Sequence, residues 1–169
     1  MASGGPSNYP GGFAQGITIR DMPLQVLHPG KVFWVNNTSV LAPNGIGGSD
    51  GNDGTYQRPF LTLDYAIGKC VANRGDIIML MPGHAETVSA AAGIVFDVAG
   101  VAVVGLGSGS KRPSITFTTA ATADVDITAN NISFYNVEFI AGFADVTAAI
   151  DVSGVAGLSF SNCYFTESA

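Results

Sequence analysis

Ile132-Ser133-Phe134-Tyr135-Asn136-Val137-Glu138-Phe139 returns as Leu158-Ser159-Phe160-Ser161-Asn162-Cys163-Tyr164-Phe165, with a constant offset of 26 residues. In both copies an apolar residue alternates with a polar one, an Asn stands at a corner, and a short apolar-polar-apolar segment follows. Alternation of period two is the mark of a strand with one face buried. Self-similarity at a period of roughly 20 to 50 residues is the mark of stacked repeats. The unit reads strand-turn-strand, so the expected architecture is a β-solenoid.

The pattern extends upstream. A first strand of each repeat reads apolar-Asp-apolar: Phe96-Asp97-Val98, Val125-Asp126-Ile127 and Ile150-Asp151-Val152. A second reads Val101-Ala102-Val103, Ile132-Ser133-Phe134 and Leu158-Ser159-Phe160. On this reading the connection between them lengthens along the chain, as outward-pointing corners of a solenoid allow. Phe134, Phe160, Phe139 and Phe165 face inward, while Ser133, Ser159, Glu138 and Tyr164 face outward. Asn136 and Asn162 take equivalent corners, where Asn tolerates the left-handed conformation. Their stacked amides are expected to form a hydrogen-bonded ladder. Gly105 takes the same slot one repeat earlier.

Composition agrees with a sheet-rich fold. Of 169 residues, 47% are hydrophobic and only 12% charged, and 22 are Gly, which suits tight corners. All seven Lys and Arg lie at or before Arg112, and six of the thirteen carboxylates follow it, for a net charge of −6. The repeat half is thus wholly acidic, which disfavours nucleic acid and suits a basic partner. No apolar run is long enough to span a bilayer, and Met1-Ala2-Ser3-Gly4-Gly5-Pro6 has no signal-peptide pattern. Cys70 and Cys163 form no metal or redox motif, and Cys163 fills the slot of Val137.

Residues 1–30, broken by Gly4, Gly5, Pro6, Pro10, Gly11, Gly12, Gly16, Pro23, Pro29 and Gly30, read as an extended N-terminal arm for anchoring or assembly. Residues 31–169 read as one domain. Val32-Phe33-Trp34-Val35 is its first strand, with the single Trp expected to cover the end of the core. A helix is expected over Leu63 to Asn73, capped by Thr62, with Leu63, Ala66, Ile67 and Cys70 on one face and Gly75 ending it.

The region ahead of the repeats carries a family likeness. It reads Gly48-Ser49-Asp50, Asp53-Gly54-Thr55, Pro59-Phe60-Leu61-Thr62, a helix, Gly75-Asp76-Ile77-Ile78 and Pro82-Gly83-His84-Ala85-Glu86. This resembles the N-terminal capping region of right-handed parallel β-helix proteins of the pectate-lyase-like superfamily, with His84 where a Tyr is common. The resemblance covers about residues 32 to 165. It implies an all-β fold: a short right-handed parallel β-helix of about four coils, one N-terminal capping helix and the extended arm. The implied helix plugs one end, and Asp50 to Thr55 is a structural turn. Members include polysaccharide lyases and hydrolases as well as phage tailspikes and fibres. The repeats end at Phe165, shortly before Ala169, with no cap in view. An arm joined to a short acidic β-helix resembles a small phage capsid decoration or cement protein.

The sharpest candidate site is the column Asp97, Asp126 and Asp151, one strand spacing (about 4.8 Å) apart if the repeats are in register. Such a column can serve as an interface to a basic partner or as a weak cation site. Two carboxylates about 5 to 5.5 Å apart are also a retaining-glycosidase geometry. No Lys or Arg lies in the last two repeats to stabilise developing negative charge, so no catalytic residue, metal ligand or cofactor site is assigned. Asp50, Asn52 and Asp53 miss the spacing of a calcium loop, and His28 and His84 have no ligand-like neighbours. Lys111-Arg112-Pro113 reads as a solvated basic corner.

The expectation is a non-enzymatic structural virion protein at a capsid surface, made in the host cytoplasm. It would be held by its arm to the major capsid protein or another virion protein and assemble as a homotrimer, without nucleic acid, membrane or cofactor. The alternative is a tailspike or fibre-like β-helix that binds or cleaves glycans, with Tyr135 and Tyr164 as stacking platforms.

Overall fold

The computed structural model describes residues 18–19, 22–23, 30–39, 42 and 45–168. The arm expected over 1–30 therefore falls largely outside the described residues, as does His28. Within that stretch β1 (Thr18–Ile19) and β2 (Met22–Pro23) pair antiparallel.

The period-two segments become short strands, and β3 to β14 pair with one another only in parallel. One sheet stacks β3 (Val32–Val35), β4 (Ile77–Leu80), β7 (Ala102–Gly105), β10 (Ser133–Tyr135) and β13 (Ser159–Ser161). A second stacks β5 (Ala85–Val88), β8 (Ser114–Phe117), β11 (Glu138–Ala141) and β14 (Tyr164–Glu167). A third stacks β6 (Ile94–Phe96), β9 (Val125–Ile127) and β12 (Ile150–Val152). The chain visits the three sheets in turn, and each visit adds one strand to the same side. Among the described residues the result is an all-β arrangement in which β3 to β14 form parallel sheets, with one short α-helix.

Inward side chains form columns through the core. Phe33, Ile78, Val103, Phe134 and Phe160 are in register, as are Ile115, Phe139 and Phe165. Phe134 and Phe160 stack with centroids 5.0 Å apart and planes within 5°, and Phe139 and Phe165 stack at 5.3 Å. Burial is complete at Phe96, Phe117 and Ile127 and falls away toward the last strands, where Phe165 is 61% exposed.

The structure shortens the expected helix. Helix α1 spans Leu63–Ile67, with Thr62 Oγ1 accepting from the Tyr65 N–H as its cap. Beyond it the backbone turns to other partners. The Val71 N–H donates to Asp76, the Asn73 N–H donates to the Ala99 carbonyl, and Asn73 sits at φ 58°. Trp34 does not cover the core. Phe33 and Val35 take the inward positions of β3, so Trp34 between them faces outward and meets Tyr56 edge-on at 4.9 Å. The core's end is covered instead by Phe60, Leu63, Ala66 and Ile67 from the loop and α1.

This end of the stack is closed. β3 is backed by the loop, with Trp34 N–H donating to the Gly54 carbonyl and Phe60 N–H to the Trp34 carbonyl. The Asn37 amide accepts from the Ala85 N–H and donates to the Ala85 carbonyl, masking the outer edge of β5. Asp64 Oδ1 accepts from the Val95 N–H on β6. The far end differs: among the described residues β12, β13 and β14 each pair on one side only.

Candidate functional site

The carboxylate column is shorter than the sequence pattern suggests. Asp126 and Asp151 are in register on β9 and β12, but the residue beside Asp126 on β6 is Val95, not Asp97. Asp97 lies beyond the strand and is exposed. The reason is packing. Ile94 and Phe96, 1% and 0% exposed, fill the inward slots matched by Val125 and Ile127. The triplet aligned with Val125-Asp126-Ile127 is thus Ile94-Val95-Phe96. The connections to the next sheet then hold five residues (97–101), five (128–132) and six (153–158), nearly constant rather than steadily growing.

Asp126 gains a third neighbour from the loop before its strand. Partial burial, then the charges of Asp124 and Asp151, push its carboxyl above the ordinary value. Asp124 is itself engaged, accepting from the Ala92 N–H. Among the described residues no group of three or more His, Cys, Asp and Glu is arranged to hold a metal ion.

The two asparagines meet. Asn162 Nδ2 donates to Asn136 Oδ1 at 3.1 Å, and Asn136 Nδ2 donates to the carbonyls of Gly105 and Gly107 at 2.8 and 3.0 Å. Both Asn residues are left-handed, at φ 57° and 53°. Gly105 extends the column by offering its carbonyl. Glycine is required there by close approach, since a Cβ would lie 2.2 Å from the Asn136 carbonyl oxygen.

The polar residues of the capping region hold backbone. Asp50 accepts from the N–H groups of Leu61 and Thr62 and from the Thr62 hydroxyl. Glu86, one strand from the inward Ile115 position, accepts from the Leu63 N–H at 2.9 Å and thereby holds the first turn of α1. His84 is fully buried. Its Nδ1 accepts from the Asn37 N–H at 3.2 Å, which leaves Nε2 to carry the proton toward Glu86 at 3.0 Å. The His84-x-Glu86 spacing, which puts both side chains on one face of an extended segment, was the available signal for this pair.

Asp76 is wholly buried and accepts two bonds from Arg74, both 2.7 Å, with backbone donors at Lys31 and Val71. Burial opposes its ionisation, but the Arg74 guanidinium and the backbone N–H groups outweigh that and hold its carboxyl below the ordinary value. Burial, helped by the Asp76 charge and opposed by Arg74, pushes the Cys70 thiol up to about 12, far from a reactive thiolate.

Arg112 is not the solvated corner expected. Its guanidinium lies 3.6 Å from the centre of the Tyr164 ring, and its Nη1 is buried without a hydrogen-bond partner. Gly109, Ser110, Arg112, Glu138 and Tyr164 line an open cleft of about 480 Å³. Tyr164 therefore offers one covered face, whereas Tyr135, also 49% exposed, lies on the neighbouring sheet. A second cleft of about 320 Å³, lined by Phe117, Phe139, Ala149 and Phe165, opens at the unpaired end beside Glu167.

Among the described residues no helix is long and apolar enough to cross a membrane. The chain matches no family model, no curated protein and no solved structure.

Proposed function

We propose that this chain is a non-enzymatic structural component of a phage particle, a short right-handed parallel β-helix decorating or cementing the capsid. The observation that carries the structural part is the use made of its polar side chains. Asp50, Asp76, His84, Glu86, Asn136 and Asn162 are engaged in fixing backbone or one another. The charges that push the Asp126 carboxyl up are those of two other carboxylates, Asp124 and Asp151. Such a molecule is built to hold shape and meet partners. The particle and three-fold symmetry are supported by the sequence resemblance, and the arm over 1–30 is the proposed attachment to the major capsid protein or another virion protein.

Deleting residues 1–30 is expected to abolish attachment to particles while a protein of residues 31–169 keeps its far-ultraviolet dichroism. Undiminished attachment of the truncated protein overturns the reading. Light scattering on the full chain checks the trimer.

A second reading is favoured by the in-register Asp126 and Asp151 and by the Arg112, Glu138 and Tyr164 cleft: a glycan-binding or glycan-cleaving β-helix. It requires that the double variant Asp126→Ala, Asp151→Ala lose turnover of a glycan that the native chain cleaves.

A further inference from the structure

We propose that His84 is a proton-operated latch on the closed end of the stack: a second proton on its ring releases the segment at Asn37 and bares the outer edge of β5. This goes beyond the particle reading and does not rest on it, because the latch belongs to the fold whatever the chain attaches to.

His84 is wholly buried, and its two ring nitrogens have opposite duties. Nδ1 accepts from the Asn37 N–H at 3.2 Å, and Nε2 lies 3.0 Å from Glu86 Oε2. Only the neutral ring with its proton on Nε2 satisfies both. A proton added at Nδ1 makes that nitrogen a donor and sets it against the donor on Asn37. The acceptors of the adjoining segment are already engaged. Asn36 Oδ1 accepts from the Thr38 N–H, the Asn36 carbonyl from the Gly48 N–H, and Asn37 Oδ1 from the Ala85 N–H. Asn36, wholly buried, adds a donor instead, since its Nδ2 has no hydrogen-bond partner among the described residues. Two opposed donors in a buried site are relieved by moving Asn37 away.

The charges around the ring decide which side yields. Glu86 places its carboxylate against Nε2, where it stabilises a charged ring. The segment from 36 to 48 holds no titratable residue. Toward β8, the Ser114 N–H binds the His84 carbonyl and the Gly83 N–H binds the Lys111 carbonyl; Lys111 is exposed, and the Arg112 guanidinium is stacked on Tyr164. In the cap, Asp50 is engaged by Leu61 and Thr62, and Asp64 of α1 by Val95. Among the described residues Glu86 is thus the charged group at ion-pair distance from the ring. Protonation keeps the Glu86 side and breaks the Asn37 side.

Asn37 is what masks β5. Its amide takes both the N–H and the carbonyl of Ala85. Once it swings away, those groups become an open strand edge at the end that the neutral ring keeps sealed.

The test follows amide exchange of the full chain residue by residue by NMR, corrected for intrinsic rates, together with the His84 ring-nitrogen signals, from about pH 8 to about pH 5. As those signals show the second proton arriving, exchange at Asn37 and Ala85 is expected to rise at least about tenfold, while Leu63, held by Glu86, stays protected. His84→Gln keeps a donor and an acceptor without titrating, and should hold Asn37 and Ala85 closed throughout. Glu86→Gln keeps an acceptor for Leu63 but removes the counter-charge, and should move the opening to lower pH. Unchanged protection at Asn37 after the ring has charged would overturn the proposal. So would the same opening in His84→Gln, or release of Leu63 in step with Asn37, which would make Glu86 the titrating group. A ring that stays neutral until the whole chain unfolds would overturn it as well, and the native chain alone decides that point should the Gln variant not fold.

Discussion

At Asn136 one side chain does three jobs. Its residue adopts φ 57°, it donates to the carbonyls of Gly105 and Gly107 in the layer below, and it accepts from Asn162 above. Asn136→Ala keeps the unfavourable backbone conformation and orphans buried carbonyls, so it is expected to cost about 2–4 kcal/mol in urea unfolding. Asn162→Ala, at an exposed position with one such bond, should cost only about 1 kcal/mol. Comparable losses at the two sites would mean that the column is not cooperative. Asp126 supplies a test in the opposite sense. Its carboxyl is pushed up, so the folded state resists its ionisation, and stability falls as pH rises through its folded pKa. Asp126→Asn should raise the melting temperature at pH 7 and leave it unchanged once the native carboxyl is protonated.

At the scale of the element, alternation was legible and position along it was not. The repeat with offset 26 correctly aligned Phe134 with Phe160 and Phe139 with Phe165. It failed at Asp97 because a shift of two residues leaves every side chain on its own face. Only the packing of Ile94 and Phe96 in the core chooses between the two registers. The helix stopped early for a similar reason. Leu63, Ala66, Ile67 and Cys70 keep helical spacing, but Asp76 and Ala99 take the N–H groups of Val71 and Asn73, and those partners come from other parts of the fold. Sequence periodicity cannot register such competition.

Asp76 is the anchor of that competition. Its folded pKa is depressed, so its contribution is fully present above the ordinary carboxylate value and is lost as pH falls through the folded one. Asp76→Asn should therefore cost about 2–4 kcal/mol at pH 7 and much less in strong acid, read from urea midpoints across pH. Glu86→Ala removes the acceptor for the Leu63 N–H and the partner of His84, at an expected cost of about 1–3 kcal/mol. A change below about 0.3 kcal/mol would show that α1 is held by packing alone.

On the scale of the molecule, the strands of one sheet meet mainly their immediate neighbours, and from β4 onward those neighbours lie 24 to 31 residues apart, as Ile115 to Phe139 and Val103 to Phe134 do. Stability in such an array approximates a sum over adjacent layers. One end has Phe60, Leu63 and Ile67 across it, and the other has Phe165 in solvent. Amide exchange should therefore be fastest in β13 and β14, slower in β10 and β11, and slowest in β4 and β7. Uniform protection across these strands would require a second contact surface in solution.

The unequal ends give the molecule a direction as well as a shape. Pulled from residue 168, the chain would surrender one strand at a time, each exposing another incomplete edge like the one before. Pulled from residue 31, it would resist until the loop, α1 and Asn37 released together, and then yield at once. A protein fastened near its beginning would thus bear load where it is strongest, with its compliant face turned toward whatever it meets.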